Sequence, residues 1–129
     1  MRWASAGHRE PILYDAPFEW IELKGGDPPL GVIPHAEYRE HEFHGLRAGQ
    51  VLLLATDGLW EAPNAEGEVF GLQRVKAAVS EHAALDARGI RDGIIRHVQE
   101  FRGVAVQEDD ITFVVIKILP VTGPETGNA

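Results

Sequence analysis

The sequence contains no cysteine and has few basic side chains among its 129 residues. The absence of thiols excludes disulfide bonds, thiolate catalysis and zinc held by sulfur, and it favours a cytoplasmic protein. Twelve Lys and Arg stand against 20 Asp and Glu, a net charge of -8, and no stretch combines basic with aromatic residues. We therefore expect no nucleic-acid partner. No run approaches the ~18 apolar residues that span a bilayer, so we expect no membrane segment here.

The composition is typical of one compact domain. Hydrophobic residues make up 44% of the chain and charged residues 25%, and a chain of this length can bury a single core. Met1 is the only methionine, and strand-like residues ("RWASAG") follow it at once. We expect the chain to have been cut from a longer protein.

Six segments have the composition of β-strands. They are residues 2–6, 10–14, 18–23, 36–46, 50–56 and 111–118. The first three predict an antiparallel meander, and the alternating pattern of the fourth suits a mostly solvated edge strand. The last two are apolar at nearly every position, which predicts strands buried on both faces, with 50–56 at the centre of the sheet.

Apolar residues recur every three or four positions in two further stretches. This spacing predicts helices at 72–83 and 90–101. Asp86 lies where it can cap the second helix. His82 and His97 fall on these helices and are expected to be solvated. Residues 120–129 are rich in Pro and Gly and predict a flexible tail.

Three acids flank the two apolar strands. Asp57 follows the first strand, and Asp109 and Asp110 precede the second. If these strands are antiparallel neighbours, ~4.8 Å apart, the acids share one rim of the sheet. Converging carboxylates repel unless a cation compensates, and oxygen ligands favour a hard ion such as Mg²⁺ or Mn²⁺. Gly58 suits a rim with little room for a Cβ. Alternatively, Asp57 and Gly58 form an ordinary turn and the other acids are solvated loop residues.

Four motifs occur together in a fixed order: "SAGHREPILY", "GDPPLGV", "LRAGQVLLLATDGLWEAPNAEGEVFG" and "EDDITFVVIKI". Residues 2–119 resemble the C-terminal part of the bacterial metal-dependent serine phosphatases of the stage-two-sporulation (SpoIIE) and RsbU type. These enzymes belong to the protein phosphatase 2C-like (PPM) superfamily. The resemblance implies an α+β fold, an antiparallel β-sandwich flanked by helices, which is incomplete on its N-terminal side.

The resemblance also implies a chemistry. A dinuclear Mn²⁺ or Mg²⁺ centre would activate water to attack phosphoserine or phosphothreonine, with Asp57 and Asp109 among its ligands. Asp110 and Gly58 would support these ligands or touch the metal, and Gly7 and His8 would lie in a loop near the site. His8 is expected to hydrogen-bond locally. The implied substrate is a phosphorylated anti-sigma-antagonist-type regulator, and the implied role is sigma-factor regulation.

Part of the family's metal site has no counterpart in the sequence, because its upstream aspartate and glycine motif is not found. We therefore expect residues 1–119 to form the C-terminal part of a phosphatase domain, with little activity and weak Mn²⁺ binding on their own. Sheet edges left open should promote self-association or an exchange of elements between copies. The alternative function is a non-catalytic interaction module, a degenerate phosphatase fold that binds a regulatory partner.

Overall fold

A computed structural model describes residues 1–17, 19–107 and 109–121. Positions 18 and 108, and residues 122–129 of the predicted tail, lie outside the described residues. The elements are β1 (Arg2–Trp3), β2 (Ile12–Asp15), β3 (Glu19–Glu22), β4 (His41–Glu42), β5 (Val51–Ala55), α1 (Gly58–Glu61), α2 (Gly71–His82), α3 (Ala87–Arg102) and β6 (Phe113–Lys117). None of the helices in these ranges combines the length and the hydropathy needed to cross a bilayer.

Four strands form one antiparallel sheet in the order β3-β2-β5-β6. In the register between β5 and β6, Val51 lies opposite Lys117 and Ala55 opposite Phe113. β5 is therefore an interior strand, as its apolar run predicts. All of its residues except Leu54 are buried. Because strand side chains alternate between two faces, the sheet is covered on both sides at β5.

The helices cover one face of this sheet. Their buried residues, which join Val51 and Leu53 in the main core, are Val75, Ala78, Val79, Ile90, Ile94 and Val98. Asp86 caps α3 as predicted, since its Oδ1 accepts a hydrogen bond of 2.8 Å from the Gly89 N–H. Gly89 and Gly93 each weaken the helix by about 1 kcal/mol relative to alanine. Burial of one large aliphatic side chain contributes about 1.5–3 kcal/mol, so packing on the sheet is enough to hold α3.

A second, smaller apolar cluster covers part of the opposite face. Leu13 and Leu52 of the sheet pack there with Leu23, Trp3 and Phe43. Trp3 comes from β1, which pairs antiparallel with β4 in a separate two-stranded sheet. The molecule thus has helices on one side of the main sheet and a small sheet on the other. This confirms the predicted α+β class with packed antiparallel sheets.

β6 lies at the edge of the main sheet, and one of its faces is open. Phe113 and Val115 pack against the helix-side core, whereas Val114 and Ile116 on the other face are 53% and 42% exposed. The prediction that this strand is buried on both faces is therefore wrong. Within the described ranges, the second apolar cluster ends on β5 at Leu54.

Other predicted elements differ in extent or pairing. β1 does not continue a meander with β2 and β3; it pairs with β4 because Trp3 packs on the far face of the main sheet. The predicted strand at 36–46 is reduced to His41–Glu42, since its mostly polar residues have little apolar surface to dock. The short helix Gly58–Glu61 is absent from the sequence-based prediction, because a single turn leaves no periodic pattern.

Asp15, at the end of β2, makes stability depend on pH. The hydrogen bond from Arg47 is the main cause that holds the pKa of this carboxyl below its ordinary value; a bond from Gln50 adds to it and burial opposes it. A lowered folded-state pKa stabilises the fold above the unfolded-state pKa of about 3.9, and this contribution is lost as pH falls through the folded-state value. We expect Asp15→Asn to lower the melting temperature most at neutral pH.

The difference in melting temperature between Asp15→Asn and the native chain should shrink below about pH 4. Asp92→Asn is the matched control, because Asp92 is half exposed and pairs with its neighbour Arg91. A difference for Asp15→Asn that stays constant from neutral to acid pH would contradict the assignment.

Candidate metal centre

The end of β5 and the approach to β6 are joined by hydrogen bonds. The Thr56 N–H donates to the Thr112 carbonyl oxygen at 2.9 Å, and the Thr112 N–H donates to Thr56 Oγ1 at 3.3 Å. These bonds continue the ladder one position beyond the pair Ala55 and Phe113. Asp57 and Asp110 therefore leave the sheet at the same rim, as antiparallel pairing predicts.

Gly58 lies at the closest approach of the two chain segments. A Cβ added at this position would come within 2.3 Å of the Asp110 carbonyl oxygen, so no larger residue fits without moving backbone. The prediction that Gly58 has little room is confirmed. The group that occupies the space is a backbone carbonyl.

Asp57 sits at the N-terminus of α1 with an exposed side chain that makes no capping hydrogen bond. With Gly7, His8 and Arg9 it lines a hollow of about 150 Å³. Gly7 has a φ of +85°, and its missing Cβ would lie 2.5 Å from Pro29. The structure thus brings the predicted loop residues Gly7 and His8 next to Asp57.

His8 itself is held locally. Its Nδ1 lies 2.8 Å from the carbonyl oxygen of Arg9, and because a carbonyl only accepts, Nδ1 carries the proton. The Ser5 hydroxyl donates to the His8 carbonyl oxygen at 3.2 Å. These bonds match the expected local role and hold the loop beside Asp57.

Asp109 faces a different hollow, of about 240 Å³, which it lines together with Gly58, Glu61, Arg102 and Gln107. Its Oδ1 accepts a hydrogen bond of 2.7 Å from the Asp110 N–H. Asp57 and Asp109 thus lie at one rim but line separate hollows, and Gly58 belongs to the lining of the second.

Glu61 lies beside this rim as well, and sequence reasoning did not single it out. It ends α1, where its N–H donates to the Asp57 carbonyl oxygen at 2.9 Å, and its side chain lines the hollow of Asp109. The sequence contains one indication of this position, which is the spacing of four residues between Asp57 and Glu61. A residue at that distance returns to the rim only if the chain turns as a helix.

The donors at this rim fit a hard divalent ion, because Asp57 and Asp109 both offer exposed carboxylate oxygens. They supply only part of a shell of about six oxygens. In the described part of the chain, neither Asp57 nor Asp109 belongs to a group of three side chains whose donor atoms lie within 4.8 Å of one another. The residues present therefore fit part of a Mn²⁺ or Mg²⁺ site, and the assignment of Asp57 and Asp109 as ligands stays a prediction.

The sequence profile of the stage II sporulation protein E (SpoIIE) family matches residues 1–119. The chain belongs to this family. A comparison with curated protein sequences gave no significant match. The predicted resemblance is thus confirmed at the level of the family, and it covers the whole described rim.

Solved structures agree with the SpoIIE assignment. The SiaA-PP2C domain of Pseudomonas aeruginosa is 27% identical with a TM-score of 0.69, and the match covers 85% of this chain and 44% of that one. The PP2C phosphatase domain of SpoIIE from Bacillus subtilis, with a fragment of its regulatory domain, is 24% identical with a TM-score of 0.66, covering 95% and 35%. The RsbU and RsbW domains of a Mycobacterium tuberculosis protein are 24% identical with a TM-score of 0.62, covering 94% and 33%.

The chain spans less than half the length of each of these three structures. The last two likenesses show the fold alone. Together the comparisons show that this SpoIIE-family chain has the fold of part of a PP2C-like phosphatase domain.

Proposed function

We propose that the chain is part of a metal-dependent protein serine/threonine phosphatase in which Asp57 and Asp109 ligate Mn²⁺ or Mg²⁺. The observation that carries the proposal is the register of β5 and β6, which brings two acids 52 positions apart in the sequence to one rim. Membership of the SpoIIE family and similarity to the SiaA-PP2C domain support the same function.

Each residue at the rim has a distinct proposed part. When bound, the divalent ions lower the pKa of water and offset the charge that builds on the phosphoryl group. Asp57 presents a carboxylate at the exposed end of β5. The Asp110 N–H holds Asp109 in one orientation, so Asp110 supports the site through its backbone. Gly58 lets the two segments meet.

Arg9 gives the rim a cation that suits a phosphorylated substrate. It lines the hollow of Asp57 and also a neighbouring cleft of about 280 Å³ together with Trp60. Its guanidinium carbon lies 6.0 Å from the centroid of the Trp60 ring, a distance at which a cation and an aromatic face attract each other weakly. We propose that a phosphate beside Asp57 contacts Arg9 while flanking residues occupy the cleft.

By its family resemblance, the proposed substrate is a phosphorylated anti-sigma-antagonist-type regulator in the cytoplasm. Because Asp57 and Asp109 provide a minority of the ligands, we expect the isolated chain to bind Mn²⁺ weakly and to release little phosphate. We propose that the remaining ligands come from a part of the domain that this chain does not span, since the chain covers less than half of each of the three solved structures.

In a longer protein that carries the rest of the domain, Asp57→Asn and Asp109→Asn should each reduce Mn²⁺-dependent hydrolysis of a phosphoserine peptide by at least about 100-fold. A ligand should matter at least as much as an outer partner, whose loss typically costs 10–100-fold. Phosphate release and Mn²⁺ affinity by calorimetry are the measurements. Asp92→Asn is the control, because it removes the same charge from a remote exposed position.

Activity that survives Asp57→Asn and Asp109→Asn would contradict the proposed ligands. Phosphate release by the isolated chain at the rate of the longer protein would contradict the incomplete site. A longer protein that binds a phosphorylated partner without turnover, even with Mn²⁺, would favour the alternative function as an interaction module.

A further inference from the structure

A cluster of metal-ligating side chains lies away from the rim, between α2 and α3. One donor atom from each of Glu81, His82 and His97 falls within 4.8 Å of the others. The expectation that the two histidines are solvated is wrong. Both are half-buried, and their rings meet edge to face with centroids 5.5 Å apart and planes at 90°.

His82 has one ring nitrogen bonded within its own helix. Its Nδ1 lies 2.8 Å from the Ala78 carbonyl oxygen, and because that oxygen only accepts, Nδ1 carries the proton. The lone pair is therefore on Nε2. A histidine that binds metal through one ring nitrogen usually donates from the other to a carbonyl or carboxylate, which fixes the tautomer and the ring orientation.

Gly93 leaves room for the His82 ring against α3. A Cβ at Gly93 would lie 2.5 Å from His82 Cγ, so the imidazole packs directly on the backbone of α3. Glycine in the middle of a helix costs about 1 kcal/mol relative to alanine. Here it allows His82 to approach α3, on which His97 stands one turn further along.

The other two donors are spaced like neighbouring ligands of one ion. His97 Nε2 and Glu81 Oε2 are 3.1 Å apart, close to the edge of about 3.3 Å of a tetrahedron with bonds of ~2.0–2.1 Å. Without metal, the same spacing accommodates a hydrogen bond between imidazole and carboxylate. A metal ion would replace the shared proton.

We propose that Glu81, His82 and His97 bind one Zn²⁺ ion, with water in the fourth position, and that the ion links α2 to α3. Two imidazoles and one carboxylate suit zinc, whereas Mn²⁺ and Mg²⁺ favour oxygen ligands. The site therefore differs in chemistry from the carboxylate rim at Asp57 and Asp109. It also lies elsewhere in the fold, because Ala83, the residue after His82, accepts a hydrogen bond from Lys117 at the end of β6 that is remote from the rim.

The test uses untagged protein that carries Asp57→Asn and Asp109→Asn, so that the rim does not contribute. Calorimetric titration with ZnCl₂ should show one ion per chain with a micromolar Kd. At a free Zn²⁺ concentration 100 times the Kd, the melting temperature should rise by roughly 10 °C. Equimolar MnCl₂ should leave it unchanged.

Substitution of a ligand should remove this binding. His97→Gln and His82→Gln should weaken Zn²⁺ binding by more than about 100-fold, since loss of an outer partner alone costs 10–100-fold. Glu81→Gln, at a more exposed position, should weaken it as well and tests the site even if a histidine variant fails to fold. His44→Gln is the matched control, because His44 pairs with Glu42 at 3.0 Å on the surface and should bind zinc no differently from the parent.

Two results would overturn the proposal. One is the absence of saturable zinc binding in the folded parent, which would make the cluster a pair of histidines hydrogen-bonded to a glutamate. The other is zinc binding that Glu81→Gln and both histidine substitutions leave unchanged. Neither result bears on the phosphatase proposal, because the rim acids are absent from the protein used.

Discussion

Gly58→Ala should destabilise the chain and weaken the Mn²⁺ binding expected at the rim. The added methyl group would lie 2.3 Å from the Asp110 carbonyl oxygen, and neither atom belongs to a flexible side chain. α1 and the approach to β6 must therefore separate. Overpacking of this kind typically costs 1–3 kcal/mol. The better helix propensity of alanine offsets at most about 1 kcal/mol of that cost.

Urea denaturation of Gly58→Ala should show a lower midpoint at an unchanged slope, and calorimetry with MnCl₂ should show reduced affinity. Gly26→Ala is the matched control, because among the described residues beyond its two chain neighbours no atom lies within 4 Å of a Cβ added there. If Gly58→Ala left both the midpoint and the Mn²⁺ affinity unchanged, the close contact at the rim would not be part of the site.

The parts of the fold that sequence predicted are those that leave a local pattern. The apolar run of β5 predicted burial on both faces, and Asp86 predicted the start of α3. Both features depend on residues within a few positions of one another in the sequence. The open face of β6 left no such signal. Four of its five residues are apolar, nearly as in β5, and the extent of the apolar cluster on the far side decides which strand is covered.

The candidate site likewise has features that the sequence predicted and features that it did not. The rim shared by Asp57 and Asp109 follows from antiparallel pairing alone, and the register confirms that geometry. The separation of the two acids into different hollows depends on α1, a single turn without a periodic pattern. His82 and His97 meet because α2 packs against α3 and Gly93 leaves room for a ring, which neither helical stretch reveals alone.

We expect the isolated chain to self-associate through β6, because among the described residues one edge of this strand has no partner strand and its Val114 and Ile116 side chains are exposed. Light scattering should give a weight-average mass that rises above 14.2 kDa with concentration. The combined variant Val114→Lys and Ile116→Glu should remain a monomer under the same conditions.

The size of this effect follows from the apolar surface that a second copy would cover. Full burial of one such side chain contributes about 1.5–3 kcal/mol. Val114 and Ile116 are already partly covered, so their joint contribution is smaller than twice that range. We take this joint contribution to be about 1.4–3 kcal/mol, which corresponds to an association of the variant that is about 10-fold to 100-fold weaker. Because both positions are solvent-accessible, the substitutions should leave the folded monomer nearly as stable.

The matched control is Val104→Lys with Val106→Glu, which introduces the same charges at two valines that are more exposed but lie outside the sheet. This control should associate like the native chain if a strand edge is responsible, and should become monomeric if any exposed apolar side chain is enough. A native chain that stays monomeric at high concentration would contradict this prediction and show that Lys117 and the short length of β6 protect the edge.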